Sequence, residues 1–353
     1  MKKICITGGA GFIASHVTEH LCHKYPTAEI IVIDSMSYAA RQEYLAPLIA
    51  SGQVRLVEVS ICERSVVREL LRNTDLVVHA AAESHVDNSY KDVRPFIESN
   101  ILGTICLLQT AEENGTGLFF HVSTDEVYGE SSERDFSEND RMNPTNPYAA
   151  SKASAEMFVH CFAKSYGLPI RITRANNIYG TRQYPEKLIP KLICDILRGR
   201  KFEVHGNGSA IRSFLHVSDF CEAVTTIVEK GENGGIYNVP ALRDYSVMDV
   251  IRLLTRAMQV PLREVIEYGP DRPFNDSRYG VTGDRLVALG WRPRRTLEED
   301  LDEIIAWYRE NLGLYYQEHA PITTCSNCEG LLRLGSRRAG GRAPRAPVLT
   351  PGE

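Results

Sequence analysis

Residues 123–129 read STDEVYG and place a hydroxyl and two carboxyls side by side, directly after the apolar run at 118–122. Such a trio can move protons: one carboxyl as acid, its neighbour as base, and the hydroxyl as hydrogen-bond donor to a reacting oxygen. A second set begins 24 positions beyond Thr124, where Tyr148 and Lys152 stand in NPYAASKASAEMF. Their i, i+4 spacing puts phenol and ammonium on one helix face. Thr124, Asp125, Glu126, Tyr148 and Lys152 are therefore the candidate catalytic residues. Each set has an ordinary alternative, a solvated acidic loop for the first and a surface tyrosine and lysine for the second. What joins them is their order behind a glycine pattern that binds nucleotides.

The elements that must position these groups follow from the rest of the chain. The run at 118–122 reads as a buried parallel strand, and in open α/β sheets the ligand crevice lies beyond the carboxyl ends of such strands. Lys3–Thr7 reads as a first strand and runs into GGAGFIA, where Gly9, Gly11 and Ala14 match G-x-G-x-x-G/A opening a helix. Glycine lets main chain approach a pyrophosphate, whose charge suits the free N–H groups of a helix start. Gly8, Gly11, Phe12 and Ile13 are the expected contacts. A second strand at 30–33 ends in Asp34, 20 residues beyond Ala14, where an acid can hold ribose hydroxyls and repel a 2'-phosphate. This favours NAD over NADP, the alternative being a strand-end Asp that caps a turn. Residues 54–59, 76–79 and 170–174 supply further strands, with helical segments between them. The fold class is α/β, a Rossmann-type doubly wound parallel sheet. The fourth strand runs into HAAAESHVDNS, where Ala80 and Ala82 let a cofactor approach and Ser84, His85 and Asp87 face a sugar. His85 is equally a packed or solvated loop histidine: no metal-ligating partners stand at suitable spacing, and no metal is expected.

From Ala175 the rhythm changes to short strands, turns and amphipathic helices, which reads as a smaller, discontinuous substrate-binding domain. The expected organisation is a nucleotide-binding domain over 1–177, with the chain returning to it around 213–238. The substrate-binding part covers mainly 178–320, and a flexible tail 321–353. The tail carries Cys325, Cys328 and five arginines among Gly and Pro, a composition that buries too little apolar surface to fold. One CxxC without a second pair or nearby histidines is not a zinc site.

The chain has 353 residues, 40 basic against 45 acidic, for a net charge of −5. That balance gives no reason to expect nucleic acid or an anionic membrane as partner. No run of 18 apolar residues occurs and the start shows no cleavable signal pattern, so a cytoplasmic protein is expected. Seven of the nine cysteines (Cys5, Cys22, Cys62, Cys106, Cys161, Cys194 and Cys221) fall in apolar patterns and read as reduced core residues.

NNIYG, YPEKLIP, HGNG, IRSFLHVSD, YNV and DRPFNDSRY occur in an order that resembles the nucleoside-diphosphate-glucose 4,6-dehydratases. These belong to the extended short-chain dehydrogenase/reductase family, and the likeness covers about residues 1–315. The resemblance implies a lyase that uses NAD internally and removes water from UDP-glucose or dTDP-glucose, giving a 4-keto-6-deoxy sugar for rhamnose-type biosynthesis, with a homodimer as the expected assembly. It implies adenine contacts at Ser60 and Ile61, where the family usually carries an Asp and an apolar residue. It also implies that Ser99 and Asn100 border the nicotinamide ribose, although a polar helix face is the simpler reading of each alone. It further implies a sugar-nucleotide site of Ser84, Thr124, Asn177, Lys187, Leu188, His205, Arg212, Asn238 and Arg272. Arginine forks suit a diphosphate and a flat histidine suits a pyrimidine, while structural ion pairs remain the alternative for each arginine. Ile178 departs from a form of the motif that carries one more Asn.

In the implied mechanism Lys152 lowers the phenol's proton affinity, Tyr148 takes the O4 proton, Glu126 removes the C5 proton and a protonated Asp125 releases the C6 hydroxyl. A 4-epimerase shares the fold but needs no acid and base after the Thr. A UDP-glucuronate decarboxylase would need a cationic pocket for its carboxylate, and a non-catalytic NAD-binding relative would not need these five residues. UDP is the expected nucleotide.

Overall fold

A strand covered by helices on both faces has no solvent side to keep polar, so its sequence is an unbroken apolar run. The first six strands are β1 (Lys3–Thr7), β2 (Glu29–Asp34), β3 (Val54–Glu58), β4 (Leu76–His79), β5 (Phe119–Thr124) and β6 (Ile170–Ala175). Among them β2 and β4 come nearest to this, whereas β3, VRLVE at the sheet edge, keeps polar residues exposed. These six are followed by β7 (Asn177–Tyr179), β8 (Phe202–His205), β9 (Ile211–His216), β10 (Gly235–Val239), β11 (Asp244–Ser246) and β12 (Ile266–Gly269). This computed structural model describes residues 1–316 apart from 132, 272, 273 and 275. Arg272 and the tail with Cys325 and Cys328 lie outside the described residues.

The main sheet has seven parallel strands in the order β3-β2-β1-β4-β5-β6-β10, one more than the six strands read from the sequence. The order reverses direction at β1 and β4, which opens the ligand crevice beyond their carboxyl ends. The seventh strand comes from the later part of the chain: β10 lies along β6 with Gly235 opposite Arg171 and Val239 opposite Ala175. The helix before it, Val217–Lys230, packs on the helix Phe12–Lys24, so Phe220, Val224 and Ile227 share a core with Val17 and Leu21. Alternate strand residues feed opposite cores. Ile4, Ile6 and Val78 join that core, while Cys5, Val77, Phe119 and Ile172 pack against the helices Gly103–Glu113 and Pro147–Tyr166.

Two small sheets build the other wall of the crevice. In one, β9 pairs antiparallel with β11 and parallel with β7; in the other, β8 and β12 run parallel.

The helical segment that precedes β5, Arg94–Glu113, is interrupted. A π-helical turn, Ile97–Leu102, precedes Gly103, where a Cβ would come 2.5 Å from Ile61 Cδ1. The wide turn sends Ser99 to the crevice and Asn100 inward. The cysteines divide: Cys5, Cys22, Cys194 and Cys221 are buried and free as expected, whereas Cys62 and Cys161 are exposed. Cys62 sits on a turn after β3 and Cys161 on the outer side of a helix, so neither belongs to the core. Among the described residues no helix is long and apolar enough to cross a membrane, and no group of His, Cys, Asp or Glu could hold a metal ion.

Candidate active site

Thr124 ends β5 and caps the short 3-10 turn Asp125–Tyr128, its hydroxyl accepting from Glu126 N at 3.3 Å. The turn therefore starts at the sheet's carboxyl edge and delivers both acids into the crevice. It is anchored beneath by Tyr128, fully buried, whose ring stacks on Phe136 and whose hydroxyl donates to Asn238 Oδ1 at 2.8 Å. Arg174 Nη1 donates to the same phenol oxygen at 2.8 Å and forks onto Glu156. Glu156 stands one helical turn beyond Lys152, so this buried pair ties the helix of Tyr148 and Lys152 to the acidic turn.

The two carboxyls are held separately. Asp125 Oδ1 accepts from the Thr124 hydroxyl at 3.0 Å and its Oδ2 from Asn176 Nδ2 at 2.7 Å. Glu126 Oε2 accepts from Asn146 Nδ2 at 2.9 Å. Burial beside Glu126 pushes Asp125 up to about 7, and burial raises Glu126 as well, against the pull of Asn146. One carboxyl can thus stay protonated near neutrality beside an ionised neighbour.

The phenol departs from expectation. Burial and the charges of Glu126 and Asp125 push Tyr148 well above its usual range, with the Thr124 hydroxyl pulling the other way. The Lys152 ammonium, itself brought down to about 8 by burial, donates to Val122 O at 2.8 Å. In this state the acids dominate the tyrosine and the lysine does not. Protonation of Asp125 removes one of the charges that hold the phenol up, so the acid form of Asp125 and the base form of Tyr148 favour one another.

These groups line one cavity of about 1220 Å³ that runs from the β1 turn to β8 and β9. Gly8, Gly11, Phe12, Ile13, Asp34, Ser60, Ile61, Ala80, Ala82 and Ser99 line one end. Gly8 has φ +72°, and a Cβ there would stand 2.7 Å from Ala81 Cα, so only glycine fits this turn. Asp34 accepts from Ala10 N and Met36 N, both at 2.9 Å, leaving further lone pairs for a diol. This cradle of bare main chain, a helix start and a fixed carboxylate fits a dinucleotide without a 2'-phosphate. Ser84, Asn177, Lys187, Leu188, His205 and Arg212 line the other end. Lys187 Nζ reaches Ser84 O at 2.7 Å, and Arg212 lies over the Tyr279 ring at 4.8 Å. Asn177 Oδ1 is buried in this wall with no partner among the described residues. His85 and Asp87 also face the cavity.

Asn238 does not line the cavity. As a central residue of β10 it is fully buried; its amide donates to Phe136 O at 3.0 Å and accepts from Tyr128, so it supports the acidic turn from behind. Asn100 is likewise consumed, bonding both main-chain groups of Glu83 and the Ser151 hydroxyl. Sequence reasoning missed Asn146 and Asn176. Asn146 carried a signal, since Asn before Pro147 is a helix cap; nothing local marks Asn176 as a partner of Asp125.

The family model described as GDP-mannose 4,6 dehydratase matches residues 5–304. A trifunctional UDP-glucose 4,6-dehydratase/UDP-4-keto-6-deoxy-D-glucose 3,5-epimerase/UDP-4-keto-L-rhamnose-reductase of Arabidopsis thaliana is 42% identical, over 88% of this chain and 48% of its own length. The chain thus spans about half the length of that plant relative. The dTDP-D-glucose 4,6-dehydratase of Mus musculus is 39% identical over 88% of this chain and 89% of its own. Among solved structures, DesIV, a dTDP-glucose 4,6-dehydratase from Streptomyces venezuelae with NAD bound, superposes with a TM-score of 0.86 at 36% identity, covering 89% of this chain and 98% of that one. The chain belongs to the GDP-mannose 4,6 dehydratase family.

Proposed function

We propose that the protein is an NAD-dependent nucleoside-diphosphate-glucose 4,6-dehydratase, a hydro-lyase that yields the 4-keto-6-deoxy-glucose nucleotide and water. The observation that carries this reading is the adjacent, buried and separately held pair Asp125 and Glu126 beside Tyr148. An epimerase or a plain dehydrogenase has no use for such a pair. Gly8, Gly11, Phe12, Ile13 and Asp34 hold the dinucleotide, with Ser60, Ile61, Ala80, Ala82 and Ser99 along it. When bound, NAD would supply the hydride acceptor for C4 and the hydride donor for C6. The chain's own residues move the protons: Tyr148 accepts that of O4, Thr124 holds the same oxygen, Glu126 takes the C5 proton, and Asp125 gives its proton to the departing C6 hydroxyl. Lys152 fixes the helix face and supplies positive charge behind the phenol.

Asn177, Lys187, Leu188, His205 and Arg212 hold the nucleotide, and UDP-glucose is the preferred substrate. Thymine adds one methyl, worth ~1–3 kcal/mol in an apolar pocket, so dTDP-glucose also turns over. The product serves rhamnose-type deoxysugar formation in the cytoplasm. The protein acts as a homodimer, a reading supported by Met157, Phe158 and Tyr166, which stand exposed on the helix that carries Tyr148, near exposed Leu102. Incubation with each nucleotide sugar, followed by mass spectrometry, should show loss of one water without net NADH. Recovery of an unchanged-mass epimer, or steady NADH release, would overturn the dehydratase reading, and a monomer by light scattering would overturn the dimer.

A further inference from the structure

Each catalytic carboxyl is gripped by an amide whose other end is pinned to main chain. Asn176 Oδ1 accepts Ala241 N at 2.8 Å, and Asn146 Oδ1 accepts Ala149 N at 2.8 Å. An N–H can only be answered by the oxygen end of an amide, so the orientation of both asparagines is fixed and each NH2 faces its carboxyl. An NH2 donates and cannot accept. Asp125 Oδ2 and Glu126 Oε2 are therefore held as acceptors, and a proton placed on either would meet a donor hydrogen.

We infer that Asn176 and Asn146 are positioning residues that assign the reactive oxygens, directing the proton of Asp125 to Oδ1 and leaving Glu126 Oε1 as the base. The inference rests on the dehydratase reading above. It gives the elimination a complete balance. Glu126 Oε1 takes the C5 proton, the C5–H electron pair becomes the C5=C6 bond, and the C6–O bond breaks as Asp125 Oδ1–H protonates the leaving hydroxyl to water. Glu126 then returns its proton to C5 as hydride returns to C6. Asp125 is left without a proton, and Tyr148 holds the one taken from O4. Thr124, which bonds Asp125 Oδ1 at 3.0 Å and borders the phenol, lies between them, so the deficit and the surplus cancel through a single hydroxyl. A proton on Oδ2 would face Asn176 and could reach neither the sugar nor Thr124. The arrangement also separates the roles of two neighbouring acids that share a burial: Asp125 keeps its acid oxygen beside a hydroxyl that can reverse its bond, while among the described residues no hydroxyl bonds Glu126 at Oε1.

The test uses Asn176→Asp and Asn146→Asp in the full chain. Both keep the oxygen that accepts the main-chain N–H, and aspartate remains a good helix cap at 146, so folding should survive. Each replaces a fixed donor by a carboxyl that can share a proton with its neighbour. In Asn176→Asp, bound NADH should still form on mixing with UDP-glucose, whereas release of water should slow at least 100-fold. In Asn146→Asp, exchange of the C5 proton with deuterated solvent should slow by a similar factor. Carbon-13 carboxyl NMR of the protein without sugar supplies a readout independent of turnover: the Asp125 midpoint should rise by at least one pH unit in Asn176→Asp and stay put in Asn146→Asp. Asn176→Gln, which keeps the donor, should recover part of the loss. Unchanged midpoints together with wild-type elimination in both aspartate variants would overturn the inference. If the wild-type protein fails to dehydrate either sugar, the dehydratase reading falls, and the NMR midpoints still decide whether the amides set the protonation of the pair.

Discussion

At the dinucleotide end of the cavity the groups that meet the ligand are held by main chain, whereas at the reaction end they are held by other side chains. Asp34 is fixed by two main-chain N–H groups, and the turn beside it by a glycine that admits no Cβ. Asp125 and Glu126 are fixed by Thr124, Asn176 and Asn146, and their turn by Tyr128, Arg174 and Glu156. Main-chain positioning follows from strand register and survives most substitutions. Side-chain positioning allows proton affinities to be set finely, but each partner removed is felt. Burial is what raises both acids, against the pull of Arg212 on each and of Lys187 on Glu126, and the same burial makes the reaction end costly to fold.

Changes at the reaction end should therefore cost most. Asp125→Asn and Glu126→Gln keep volume and polarity while removing proton transfer, so elimination should slow by ~10²–10⁴-fold with bound NADH accumulating. Tyr148→Phe should prevent that NADH from appearing at all, as stopped-flow absorbance would reveal. Rates near wild type in both carboxyl variants would reduce STDEVYG to a loop.

Next in size is the support beneath. Glu156→Ala leaves the buried Arg174 unpaired and should cost about 3–5 kcal/mol in denaturant unfolding. A loss below about 1 kcal/mol would mean the reaction end is not held from below.

The same logic predicts a gain. Asp125 is pushed from its ordinary 3.8 to about 7 in the folded state, so the folded chain binds more protons than the unfolded one between those values. Its contribution is fully present below about pH 4 and is lost as pH rises through 7. Asp125→Asn removes that loss and should stabilise the protein at pH 8 relative to wild type, on the order of 3 kcal/mol, with little difference at pH 4. Equal melting curves at both pH values would contradict it.

At the dinucleotide end the effect should be smallest. Asp34→Ala takes away one ribose partner from a cradle otherwise built of main chain, and NAD affinity should fall only about tenfold, near 1.4 kcal/mol. A thousandfold loss by calorimetry would erase the contrast between the two ends.

The contrast also explains what could be read in advance. The main-chain end was legible, because apolar runs, the glycine spacing and a strand-end acid are local patterns. Asp34 and Gly8 stand where those patterns put them. The reaction end was legible only in its reacting groups. Asn176 meets Asp125 from 51 positions away and Asn146 meets Glu126 from 20, and no periodicity links such pairs. Asn238 lies elsewhere than expected because a strand offers a side chain to either face of the sheet, and its register against Arg174 turns it to Tyr128. The tyrosine's charge balance was misjudged because it depends on which neighbours are buried with it. Spacing placed Lys152 one turn from the phenol, but the main-chain carbonyl of Val122 takes the ammonium.

The seventh strand carries a consequence for how the chain comes to be folded. β10 closes against β6 only after more than fifty residues of intervening chain have been made, and the helix before it covers the apolar face of the first helix. Until residue 239 is available, β6 is a bare sheet edge, open to pairing with another chain. Contacts of such sequence separation slow folding and prolong that exposure. A nascent chain cut at 177 would thus be a sticky fragment, and the two halves of the cavity must mature together.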